Sequence, residues 1–149
     1  MKRSVLAAVV LLLGVSAVAA QQDLIEQSHA LMKANGKNLG GVLSPMARGD
    51  KPYDQAAVDA ALAQLDDTAK KLPTLYPASV KAVKQDSEYT PSAKVWDDRA
   101  GFDAQIASFA KAVSEAKGKI KDADSLKATL PTIGKACSGC HETFRVKNG

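Results

Sequence analysis

An all-α fold, an antiparallel four-helix bundle, follows from three features of this 149-residue sequence. Apolar residues recur at three- and four-residue intervals in four blocks. Gly and Pro punctuate between the blocks. No stretch alternates apolar and polar residues as a half-buried strand does. Four helices with one apolar stripe each can bury those stripes only against one another, and the length suits one domain.

The first 20 residues stand apart. Lys2 and Arg3 precede an uncharged run from Val5 to Leu13, and Ser16-Ala17-Val18-Ala19-Ala20 is a small-residue exit. These are the three parts of a secretory signal peptide. The run to Ala20 is shorter than the ~20 apolar residues of a membrane span, and Gln21, Gln22 and Asp23 are no basic stop-transfer flank. Residues 1–20 are expected to be cleaved, leaving 21–149 as the bundle domain, soluble and exported to the periplasm. Removing Lys2 and Arg3 lowers the side-chain charge from +4 to +2.

The first block runs from about Gln22 to Ala47, with Leu24, Ile25, Leu31, Met32, Leu39, Val42 and Leu43 on its apolar side. Gly36, Gly40 and Gly41 weaken it locally or allow close approach of a neighbour, and Pro45 suggests a kink or exit. Asp54 caps a second helix carrying Val58, Ala61, Leu62, Leu65, Ala69 and Leu72, which Pro73 and Pro77 end. A long connection follows to Pro91. Ser92 is the candidate cap of the third helix, with Val95, Phe102, Ile106, Phe109 and Val113, and Gly118 closes it. Asp122 or Asp124 starts the fourth, which Pro131 kinks or divides.

Composition excludes several functions. Two cysteines make neither a disulfide-dense scaffold nor a four-cysteine zinc site. The scattered excess of basic residues and an aromatic content of 5% argue against a nucleic-acid partner.

The chemistry lies in Cys137-Ser138-Gly139-Cys140-His141. C-x-x-C-H is the attachment pattern of c-type haem. Each thiol adds across a vinyl group, and the imidazole ligates the iron as its proximal axial ligand. Positions i, i+3 and i+4 share a helix face, so both sulfurs and the imidazole meet one planar ring. Ile133 and Phe144 extend that face as candidate walls. A thioredoxin-type pair belongs at a strand-to-helix junction, which is missing here. Zinc needs two further ligands, and a structural disulfide gives no reason for the adjacent His141. The expected cofactor is one covalently attached haem c with its iron.

Only eight residues follow His141, and none is methionine or histidine, so a distal ligand must come from upstream. Spacing leaves Met32, His29 and Met46 as candidates, with lysines as outsiders. Met32 on a first helix facing the fourth stands over the open iron face, although methionine is equally a gap-filler in cores. His29 is equally a solvated surface residue, and Met46 sits at the helix end beside Pro45.

The C-terminal haem motif, Asp23-Leu24-Ile25, Leu72-Pro73-Thr74-Leu75-Tyr76-Pro77, Lys94-Val95-Trp96, Phe102-Asp103 and Cys137 through Arg145 resemble the class II c-type cytochromes, the cytochrome c-prime family. The resemblance runs from about Asp23 to Lys147 and implies a bundle carrying one haem. The family has two branches. In the low-spin branch a methionine matching Met32 is the distal axial ligand and the protein carries electrons. In the high-spin branch an apolar residue covers five-coordinate iron that binds nitric oxide or carbon monoxide. Many high-spin members carry arginine where this chain has Ser28, so the resemblance is to the low-spin branch. Arg145 matches a family arginine on the proximal side.

The resulting expectation is electron transfer and not enzymatic catalysis, with a gas-binding five-coordinate protein as the alternative. The partners are redox proteins, and the chain is a monomer or homodimer. Lys127, Lys135, Arg145 and Lys147, grouped around a haem edge, favour an acidic redox partner; a solvated helix face accounts for them equally.

Overall fold

The computed structural model describes the backbone of residues 2–148 and the side chains of residues 18–148. Most of the segment read as a leader therefore lies outside the described side chains. Among the described residues no helix is long and apolar enough to cross a membrane.

The chain forms an antiparallel four-helix bundle. Its first rod is α1 (Lys2–Gly36), a π-helical stretch over Lys37–Leu43 and α2 (Ser44–Arg48). The second rod is α3 (Gln55–Lys71), the third α5 (Arg99–Lys119) and the fourth α6 (Ala123–Phe144). A short helix, α4 (Lys94–Asp97), leads into α5. The glycine-containing part of the first block widens into a π-helix rather than breaking. Pro45 sits in the first turn of α2, which continues the π-helix, and the Gly41 carbonyl four residues back accepts instead from Lys51 Nζ at 3.2 Å.

The helix starts are set by side-chain caps. Asp54 Oδ1 accepts from Ala57 N–H at 3.1 Å at the head of α3. Asp122 and Ser125 form a reciprocal capping box at the head of α6. The third rod departs from expectation: Asp98 caps α5, accepting from Gly101 N–H at 3.0 Å. Ser92 is occupied elsewhere, its hydroxyl donating to Thr143 O at 2.8 Å and its N–H to Phe144 O at 2.9 Å. Nor does Gly118 close α5, which runs to Lys119 and ends as Ile120 turns extended. Pro131 lies within α6 without dividing it.

A second departure is a two-stranded antiparallel ribbon. β1 (Tyr89–Pro91) pairs with β2 (Arg145–Lys147), Thr90 standing opposite Val146. Asn148 extends the tie, its N–H donating to Glu88 O at 2.8 Å. The long connection is thereby pinned to the end of α6.

The apolar positions read from periodicity make the core. Leu43, Val58, Leu62, Leu65, Val113, Leu126 and Ile133 form the interior of the main cluster. A smaller cluster of Leu72, Val95, Phe102, Ile106 and Phe144 lies separately, with Met32, Tyr76, Trp96 and Cys140 packed on it. Between these clusters the bundle opens.

Candidate haem site

A cavity of about 380 Å³ lies where α1, α5, α6 and the ribbon converge. The helix period decides what α6 presents to it. Cys137, Cys140, His141 and Phe144 line the cavity, while Ser138 and Glu142 are exposed on the other side. The two cysteines belong to different packing environments, Cys137 against the main core and Cys140 against the smaller cluster. Ile133 is fully buried in the main core and does not reach the cavity, so Phe144 alone of the two expected walls serves as one.

The α1 helix contributes Met32, Asn35 and Gly36 to the lining of the cavity. Of the three upstream candidates, Met32 lines the cavity and His29 and Met46 do not. His29 Nε2 lies 3.1 Å from Gln85 Oε1 in the long connection. Met46 is buried in the main core.

Aromatic rings close one flank. Tyr76 meets Phe102 edge to face at a centroid distance of 5.4 Å, and Phe102 meets Phe144 at 5.3 Å. Trp96 stands behind Tyr76 at 6.4 Å, its Nε1–H donating to Pro77 O. Burial raises the Tyr76 hydroxyl pKa, an effect partly offset by a hydrogen bond with Ser28. Ser28 is buried, its hydroxyl donating to Ile25 O at 2.8 Å, and it stands outside the cavity lining.

The titrating groups are tuned towards their neutral forms. Burial pushes both thiols up, and for Cys140 the nearby Cys137 adds to it. A redox-active C-x-x-C depends on the opposite shift, towards thiolate. Burial lowers the His141 pKa, and the positive charge of Arg145 lowers it further. The imidazole is therefore neutral at pH 7 and has a lone pair to offer a metal.

Two thiols, a neutral imidazole and a thioether, set in apolar walls, fit an iron porphyrin. Imidazole and thioether are its common axial donors, and the walls suit an apolar macrocycle. Among the described residues no group of three His, Cys, Asp or Glu side chains is gathered as a metal cluster would require.

The four basic residues proposed to surround the site are not brought together. Only Arg145 lines the cavity. Lys135 lies on a separate groove between α5 and α6, Lys147 pairs with Glu88 at 3.5 Å, and Lys127 is about 15 Å along the helix from Cys137. Sequence reading missed Asn35, Tyr76, Tyr89 and Gln105 as lining residues. The Leu72–Pro77 stretch carried Tyr76 only as a helix-ending segment.

Comparison with known proteins agrees with this geometry. The family model for cytochrome C' matches residues 23–145. Cytochrome c-556 of Rhodopseudomonas palustris is 59% identical over 150 residues, covering the whole of both chains. An NMR-validated structural model for oxidized cytochrome c556 of R. palustris superposes with a TM-score of 0.75 at 60% identity, over 86% of this chain and 99% of that one. Cytochrome c' from R. palustris gives a TM-score of 0.76 at 38% identity, over 85% and 98%. The chain therefore belongs to the cytochrome c' family, c-type cytochromes built as four-helix bundles around one covalently attached haem c.

Proposed function

We propose that this cytochrome is an exported, periplasmic electron carrier whose iron is six-coordinate, with His141 as the proximal and Met32 as the distal ligand. Cys137 and Cys140 are the two points of thioether attachment. Residues 1–20 are the cleaved leader. The observation that carries this reading is that Met32, on α1, lines the same cavity as Cys137, Cys140 and His141 of α6.

A haem held there supplies a one-electron ferric–ferrous couple. The chain's residues set its character. The thioether of Met32 is a soft donor that favours ferrous iron and raises the potential. Leu72, Val95, Phe102, Ile106 and Phe144 keep water from the centre and so favour the less charged, reduced state. Two protein ligands leave no site for a substrate and keep the rearrangement on electron transfer small. The donor and acceptor are redox proteins that approach the cavity mouth, where Arg145 presents a positive charge to an acidic surface.

Replacement of Met32 by Ala tests the assignment. Ferric Met32→Ala protein is expected to become high-spin, and its ferrous form to bind carbon monoxide far faster than the parent. Equal spin states and carbon monoxide rates in parent and variant would instead identify the parent as a five-coordinate, gas-binding member.

A further inference from the structure

Asn35 and Thr68 are an anomaly in the bundle interior. Both are polar, and they are only 7% and 0% exposed. Asn35 lies on α1 and Thr68 on α3, and the Thr68 hydroxyl donates to Asn35 Oδ1 at 2.9 Å. Thr68 Oγ1 in turn accepts from Gln64 Nε2 at 3.0 Å, and Gln64 Oε1 accepts from Asn38 Nδ2 at 3.0 Å. A buried amide and hydroxyl are costly unless fully bonded, and apolar side chains of the same size would fill this space more cheaply. The network consumes the Asn35 carbonyl and leaves its NH2 group facing the cavity. There Nδ2 donates to Met32 Sδ at 4.0 Å.

We propose that Asn35 is a positioning residue for Met32: its amide, held from behind by Thr68, donates to the thioether sulfur and fixes the direction in which that sulfur faces. This inference rests on the reading of Met32 as the distal ligand. A thioether sulfur has two lone pairs. An N–H engaged with one of them leaves the other for a metal and holds the side chain in one rotamer. The sulfur sets the orientation of the amide: Thr68 also has Gln64 O as an acceptor at 3.2 Å and would tolerate either orientation, whereas a carbonyl aimed at the sulfur would set two lone-pair-bearing atoms against each other. Asn35 thus restricts the motion of the ligand and keeps the second lone pair of its sulfur directed into the cavity.

The test compares holoprotein carrying Asn35→Leu with holoprotein carrying Thr68→Val. The first removes the donor to sulfur and the second leaves it in place, while both cut the tie between α1 and α3. The readouts are the ferric sulfur-to-iron absorption band, the Met32 methyl resonance of the ferric protein and the affinity of added imidazole for ferric iron. Asn35→Leu is expected to raise imidazole affinity about fivefold, the size of one lost hydrogen bond, and to shift the band and the methyl resonance. Thr68→Val is expected to stay within about twofold of the parent, as its bond holds the amide only from behind. Equal effects in the two variants would make Asn35 a helix tie only, and no effect in either would also overturn the proposal. Should Asn35→Leu fail to assemble, Asn35→Ala removes the same bonds without added bulk and carries the same comparison. The ferric parent is recorded first: a high-spin parent overturns the Met32 reading itself, whereas a low-spin parent with indistinguishable variants overturns the role of Asn35 alone.

Discussion

The guanidinium of Arg145 lies over the ring of Tyr89, 4.2 Å from its centroid, and joins the end of α6 to the long connection at the cavity mouth. Both residues line the cavity, and both belong to the short ribbon. The stacked pair replaces a loose edge with a cation held against an aromatic face. Tyr89→Phe, which keeps the ring, should leave stability nearly unchanged. Tyr89→Leu should cost about 0.5–1 kcal/mol at this half-exposed site. Urea unfolding of the two variants measures the difference, and equal losses would remove the ring–cation contact from the account.

Gly49, after α2, is the single described residue with a left-handed backbone, at φ +81°. Nothing lies within 4 Å of where its Cβ would stand, so the cost of a side chain there is one of backbone conformation and not of space. Gly49→Ala should destabilise the fold by about 1–2 kcal/mol. Thermal unfolding monitored by circular dichroism reads this directly; an unchanged midpoint would show that the turn can relax.

The capping box of α6 predicts a pH dependence. Ser125 N–H donates to Asp122 Oδ1 at 2.7 Å, and the Ser125 hydroxyl lies 2.6 Å from the same oxygen. The Ser125 side chain and then its backbone hold the Asp122 carboxyl below its ordinary value of 3.8. A carboxyl with a lowered folded-state pKa contributes stability that is present above its unfolded value and lost as pH falls through the folded one. Asp122→Ala should therefore be less stable than the parent at pH 7. The gap should close only under acid, below pH 3.8. A gap that persisted unchanged to lower pH would place the effect elsewhere than on the charge.

Much of this was legible in the sequence because it rests on local periodicity. Leu62, Leu65, Val113 and Leu126 recur at helical intervals and are buried where that spacing places them. The i, i+3, i+4 spacing of Cys137, Cys140 and His141 specifies a shared helix face before any tertiary contact forms. The ribbon was not legible: Tyr89–Pro91 and Arg145–Lys147 are three residues each, too short to show alternation, and they pair across more than fifty residues. Ser92 looked like a cap because its type suits one, yet its hydroxyl is taken by Thr143 O, a carbonyl distant in sequence. Asn35 and Thr68 are polar, and nothing in the local sequence marks either as buried. Only the approach of α1 to α3 shows that each is the other's buried partner. Long-range pairing, and not local propensity, decided each of these cases.

The identity of the distal ligand is the central claim, and one spectrum tests it. Electron paramagnetic resonance of the ferric parent holoprotein at pH 7 is predicted to show low-spin iron, accompanied by the sulfur-to-iron absorption band in the visible spectrum. A high-spin ferric signal without that band would contradict Met32 ligation and leave the cavity as the pocket of a five-coordinate haem.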